Sequence, residues 1–281
     1  MPSYHSMITN AIVTEDKNFD DIAHKFVKNI YGSGKGEIRQ AVIWHDIEQM
    51  LQCFPPDQPL HILDAGGGVA PISQPLAARG HSVTLCDLSS QMLELARQEI
   101  EQQDLLAQYQ LVHASVQSIG EHLASPPDVI LFHAVLEWVA DPEQVLKDLL
   151  SHLRPGGIAS VMFYNQTGLL FKNLVCGNLT HVEQGMPHRK RFKLQPPKGL
   201  QPDSVYQWMQ DSGISLKGKT GVRTFHDYMR DTNIGDFTFE QVLALEQQLC
   251  RQEPFVSLGR YIHVWGQYNA SSHQDENKDN R

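Results

Sequence analysis

The stretch LDAGGG (63–68) sets Asp64 among glycines in the form D-x-G-x-G. Glycines let a backbone turn tightly and approach a ligand closely. Asp87 follows about twenty residues on, where a carboxylate ending the next strand accepts hydrogen bonds from a ribose diol. A dinucleotide enzyme adds a third glycine so that a helix N-terminus grips a pyrophosphate. Here Ala70 and Pro71 stand in that place. The pattern points to a ligand with a ribose and no phosphate. S-adenosylmethionine, built of adenosine, a sulfonium and an amino acid, is such a ligand. Plainer readings stay open: a phosphate-binding or purely structural turn, and Asp87 as a cap for the helix that begins near Ser89.

Two further residues fall where this chemistry needs them. Gln117 follows the third strand, where side chains flank an adenine ring; the alternative is a surface helix residue. His133 ends the fourth strand in LFHAVLEW (131–138), facing the methionine half of the ligand; the alternative is a packed polar residue.

The elements that must position these groups read as an alternation. Strands are predicted at 60–63, 82–86, 109–113, 129–132 and 158–163, and helices at 71–78, 89–102, 116–123 and 142–153, the last stopping before Pro155-Gly156-Gly157. That rhythm implies an α/β, Rossmann-like fold with a mostly parallel sheet and helices on both faces. Upstream, apolar residues recur at helical spacing over 18–50, interrupted by a loop at YGSGKG (31–36). After Tyr164 the rhythm breaks into amphipathic fragments, read as a small cap insertion at about 165–202 over the carboxyl edge of the sheet. A helix at 204–211, strands at 214–224 and 261–268 and a helix at 238–250 complete a seven-stranded sheet.

The 281 residues are 41% hydrophobic, enough for one large core or one core plus a small annex. One domain is expected over 15–268, with an N-terminal extension (1–14) and a disordered tail (269–281). The net charge of -9 argues against a whole-surface nucleic-acid binder, so any such contact needs a local basic patch. Cys53, Cys86, Cys176 and Cys250 form no CxxC pair, which suggests reduced, mostly buried thiols and no metal. With no signal peptide and no membrane-length apolar run, a soluble cytoplasmic protein is expected.

D-x-G-x-G, the acid ending the second strand and LRPGG (153–157) resemble class I S-adenosylmethionine-dependent methyltransferases. NFDDIAHKF (18–26), FHAVLEWVADP (132–142), GKTGVRTFHDY (218–228) and RQEPFVSLGRYIHV (251–264) are similar to segments of the bacterial tRNA 5-carboxymethoxyuridine methyltransferase family. The similarity runs from about 16 to 264. It implies methyl transfer to the carboxylate of 5-carboxymethoxyuridine at the tRNA wobble position. It also implies cofactor contacts at Arg39, Gly66, Gly67, Asp87, Val116, Gln117 and His133. The chain departs from the family in residues 1–14, in VAPIS (69–73) after the glycines, and at Val116, which offers adenine only backbone groups.

A carboxylate is ionised at neutral pH, so such a transfer needs no catalytic acid or base. Tyr164, Asn165, Arg223 and Tyr228 near strand ends are candidates to position the nucleobase, or else make structural hydrogen bonds. In HRKRFK (188–193), Arg189, Lys190, Arg191 and Lys193 suit tRNA phosphates and Phe192 suits a base; a solvated loop is the plainer reading. A small-molecule carboxyl or phenol O-methyltransferase shares the same cofactor site. A non-catalytic scaffold that binds the cofactor is a reading of another class. A nicotinamide-dependent dehydrogenase would need a pyrophosphate grip that is not evident.

Overall fold

The computed structural model describes residues 15–23, 34–187, 196, 198–229 and 237–269. The extension at 1–14, most of the tail and the basic stretch with Arg189, Lys190, Arg191 and Lys193 lie outside the described residues.

The core is a seven-stranded sheet in the order β3-β2-β1-β4-β5-β7-β6. Its strands are β1 (His61–Ala65), β2 (Ser82–Asp87), β3 (Tyr109–His113), β4 (Val129–His133), β5 (Ile158–Tyr164), β6 (Ile214–Val222) and β7 (Tyr261–Tyr268). β1 to β5 are parallel, and β7 runs antiparallel to both neighbours. The order reverses between β1 and β4, which opens a crevice at their carboxyl ends.

Both faces of the sheet are covered, and the strands alternate accordingly. Ile62 and Leu131 pack on one face with Ile38, Ile43 and Ile47 of α1 (Gly34–Leu51) and Leu93 and Ile100 of α3 (Ser90–Gln102). Leu63, Ile130 and Phe132 pack on the other with Leu146 and Leu149 of α4 (Pro142–Leu150) and Val205 and Met209 of α7 (Pro202–Asp211). A short α2 (Ser73–Ala77) follows β1. α5 (Gln166–Val175) and α6 (Leu179–Glu183) follow β5. α8 (Phe239–Leu249) and α9 (Phe255–Leu258) precede β7.

Several boundaries differ from the sequence reading for physical reasons. The loop at 31–36 was placed too far along, because Gly34–Gly36 already belong to α1. A Cβ on Gly34 would sit 2.8 Å from the Phe239 ring, so the glycine lets α1 approach α8. The helix at 116–123 is a single 3-10 turn, Ile119–His122. β6 stops at Val222 because Arg223 turns out of the strand with φ +60°. Two of the four thiols, Cys53 and Cys176, are exposed rather than buried. Among the described residues no helix is long and apolar enough to cross a membrane.

Candidate cofactor and acceptor site

The carboxyl ends of β1 to β4 surround two adjoining cavities. The larger holds about 760 Å³ of space free of protein atoms, part of it open to solvent. Its walls include Gly66 and Gly68 after β1, Asp87 ending β2, Val116 and Gln117 after β3, His133 ending β4, and Arg39. The smaller is lined by Arg39, Asp64, Gly66, Gly67 and His133. The seven residues that the resemblance implied therefore meet around one crevice.

The glycine turn is built for close approach. Gly66 and Gly68 take φ +66° and +59°. A Cβ on Gly67 would fall 2.4 Å from the Asp64 carboxyl carbon. Ala70, where a third glycine was missed, adopts φ +59° and is fully buried. The loop thus keeps a left-handed residue there, at a cost of about 1–2 kcal/mol that its packing must offset.

Both oxygens of Asp87 are held by main chain, one by the Gly68 N–H at 3.1 Å and the other by the Ser89 N–H at 2.8 Å. Ser89 itself caps α3 by accepting from the Met92 N–H. Asp87 thus supports the helix start and also faces the cavity, and the two roles coexist. Burial raises its carboxyl above the ordinary value, against those backbone bonds. Asp64 is pushed up to about 6 by burial, although it accepts from the Ser73 hydroxyl at 2.6 Å.

His133 is kept neutral, its pKa driven well down by burial and then by His263 and Arg39. Its Nε2 lies 2.8 Å from Ser160 Oγ, which lies 2.8 Å from Nε2 of His263. His263 Nδ1 lies 2.8 Å from Asp46, which Arg251 also grips at 2.6 Å. Burial alone would raise the Asp46 carboxyl, but His263 and Arg251 hold it down at about 2. The ionised Asp46 places a proton on His263 Nδ1. The Ser160 hydroxyl bridges the two Nε2 atoms, donating to one ring and accepting from the other.

The four positioning candidates separate. Asn165 is fully buried, donating to Ser257 O and Gly259 O and accepting from Thr167 N–H. The Tyr228 hydroxyl lies within hydrogen-bond distance of Leu258 O and Gly168 O. Those two serve the fold. Tyr164 and Arg223, by contrast, carry buried polar atoms with no hydrogen-bond partner.

Sequence reasoning missed a strap across the larger cavity. Asp16, Lys17 and Phe19 line it, with Trp138 and Val139 opposite. Asp16 accepts from Gln117 and from the Ala140 N–H, Lys17 N–H donates to Trp138 O, and Phe19 meets Trp138 edge-on at 5.1 Å. Helical spacing counts Phe19 into the stretch 18–50 and says nothing of Asp16 and Lys17, so only tertiary contact reveals their role. Asp46, Ser160 and His263 were missed too, since they are scattered through otherwise apolar elements.

A phosphate-free nucleoside cofactor fits this crevice: Asp87 presents a held carboxylate, Gly66 and Gly67 line the cavity without side chains, and buried Arg39 Nε has no partner. The fold and crevice define a Rossmann-like methyltransferase. A family described as a methyltransferase domain matches residues 63–159. The magnesium protoporphyrin IX methyltransferase of Synechocystis PCC 6803, solved with bound SAH, shares the fold at a TM-score of 0.54 and 16% identity, over 89% of this chain and 96% of that one. The tRNA 5-carboxymethoxyuridine methyltransferases of Escherichia coli O157:H7 and of strain K12 are each 50% identical over 250 residues, 89% of this chain and 95% of theirs. The chain belongs to that tRNA methyltransferase family.

Proposed function

We propose that this protein methylates the carboxylate of 5-carboxymethoxyuridine at the wobble position of certain tRNAs, giving the methyl ester 5-methoxycarbonylmethoxyuridine. The observation that carries the reading is 50% identity across 89% of the chain with the E. coli enzymes of that name. The crevice supports it. Asp87 would accept from the ribose hydroxyls, Val116 main chain and Gln117 would flank the adenine, and Arg39 would pair with the methionine carboxylate. Gly66, Gly67 and His133 would border the sulfonium.

S-adenosylmethionine, when bound, supplies a methyl group on sulfur that an acceptor oxygen takes as the carbon–sulfur electron pair returns to sulfur. The acceptor is already ionised at neutral pH, so no residue here need remove a proton. The protein's part is to hold the carboxylate in line and exclude water, which can contribute roughly 7–11 kcal/mol. A desolvated carboxylate also needs a cationic partner. We assign no metal to this chemistry and place the reaction in the cytoplasm. The insertion at about 165–202 is the cap through which tRNA approaches, with Arg189, Lys190, Arg191 and Lys193 on its phosphates; the salt dependence of tRNA binding reads that role.

The test is mass spectrometry of nucleosides from tRNA bearing 5-carboxymethoxyuridine, incubated with the purified protein and S-adenosylmethionine. The acid should convert to its methyl ester. If the acid persists while a small phenol or carboxylic acid is methylated, the small-molecule reading replaces this one.

A further inference from the structure

Beside the two cavities, the carboxyl ends of β5 and β6 and the start of β7 gather three guanidiniums on two tyrosine rings. Arg39 and Arg223 lie over Tyr261 at 4.6 and 5.4 Å from its centre. Arg260 lies over Tyr164 at 4.8 Å, and the two rings meet edge-on at 5.4 Å. Main chain ties the arginines together, since Arg260 N–H donates to Arg223 O at 3.2 Å.

The cluster carries more positive charge than it neutralises. Asp227 sits 3.3 Å from Arg223 and 3.6 Å from Arg260. Burial alone would raise its carboxyl, but His226, Arg223 and Arg260 hold it below the usual carboxylate range. Glu137, near Arg39, is pushed up to about 7 by burial, so at neutral pH it cancels only part of a charge. Arginine cannot shed its proton. Arg223 Nε, Arg260 Nη1 and the Tyr164 hydroxyl are buried without a hydrogen-bond partner. Arg223 is moreover held at φ +60°, a conformation that its side chain disfavours. Burying a cation with open donors is costly unless an anion completes it.

We propose that Arg223 and Arg260, with the Tyr164 hydroxyl, seat the carboxylate of the acceptor. This rests on the reading that the acceptor is a carboxylate nucleoside. Asp227 holds the two guanidiniums in place, and their free N–H groups donate to the carboxylate oxygens. Arg39 lines both cofactor cavities and borders the cluster, so it remains for the cofactor's own carboxylate. Charge-assisted forks fix a carboxylate's orientation, and an in-line transfer requires that orientation.

The experiment compares binding of two anticodon stem-loops to the protein loaded with adenosylhomocysteine. One carries 5-carboxymethoxyuridine and the other 5-methoxyuridine, which lacks the carboxylate. The wild type should prefer the acid by about tenfold to a hundredfold. Arg223→Gln and Arg260→Gln should each bring the ratio near one, with adenosylhomocysteine affinity within about threefold of wild type. Arg223→Lys and Arg260→Lys, which keep the charge and lose the fork, should give intermediate ratios and carry the test if a glutamine variant fails to fold. Variants that retain the full preference overturn the seat alone. A wild type that shows no preference, and makes no ester, overturns the functional reading beneath it.

Discussion

The two ends of the crevice handle charge in opposite ways. Around the cofactor cavities, burial drives each strongly perturbed group toward its uncharged form: Asp64 and Asp87 upward, His133 downward. At the acceptor end, burial also lowers Arg223, but from so high a starting value that it stays cationic. One end gathers buried carboxyls whose ionised form a cationic ligand would favour. The other is a permanent positive cluster awaiting an anion. A sulfonium donor and a carboxylate acceptor are the pair that this asymmetry fits.

The comparison is broken most forcefully at Asp87. Replacing it with alanine removes a carboxylate that would accept from both ribose hydroxyls and already anchors the Gly68 and Ser89 N–H groups. Charge-assisted hydrogen bonds of this kind contribute about 1.5–3 kcal/mol each. Adenosylhomocysteine affinity, measured by calorimetry, should fall by about a hundredfold or more. The preference of the acceptor end for an acid over a neutral nucleoside should survive. If Asp87→Ala left cofactor affinity unchanged, the crevice would have been assigned to the wrong ligand.

A smaller effect sharpens the contrast through pH. Asp64 has a folded value of about 6 against an ordinary 3.8. Because the folded value is the higher, Asp64 withdraws stability as pH rises from about 4 to about 6. Asp46 does the reverse: held at about 2, it contributes stability that is lost as pH falls from about 4 toward 2. A cationic amino group in the smaller cavity would favour the ionised Asp64 and release its proton. Adenosylhomocysteine affinity should therefore drop about tenfold between pH 7.5 and pH 5. Asp64→Asn should flatten that part of the profile. An unchanged slope in the variant would mean that Asp64 does not face the ligand's charge.

How much of this was legible depended on whether a role is local. The glycine turn, Asp87 and His133 sit at strand ends, and strand ends announce themselves through apolar runs, turns and spacing. Strand β3 and strand β7 matched their predicted limits because short apolar or alternating runs bounded by polar turns leave little choice. The strap at Asp16 to Phe19 and the arginine cluster were not legible as such. Their partners lie far off in sequence: Lys17 meets Trp138, and Arg39 meets Tyr261. Arg223 was singled out, but Arg260 was not, since nothing local distinguishes it from a surface arginine. For Asn165 the structural alternative is the one seen: it caps Thr167 locally, and its carbonyl partners, which the local sequence does not show, lie nearly a hundred residues later.

The smallest effect concerns the seam between the two ends. The Ser160 hydroxyl joins His133, which lines both cavities, to His263 on β7, the strand whose start carries Tyr261. Ser160→Ala leaves two ring nitrogens facing each other without a bridge, in a site that is fully buried at Ser160 and His263. Unsatisfied buried groups cost about 1–3 kcal/mol, so the melting temperature should fall measurably. Loss of packing alone would stop there. If Ser160 also sets the His133 tautomer, nitrogen NMR of the ring should show its tautomer ratio shifted in the variant, and adenosylhomocysteine affinity should weaken by about threefold. A Ser160→Thr variant that fits should restore the spectrum. If the spectrum of His133 is identical in Ser160→Ala, the seam is only a packing device, and the two ends of the crevice act without any link through the sheet.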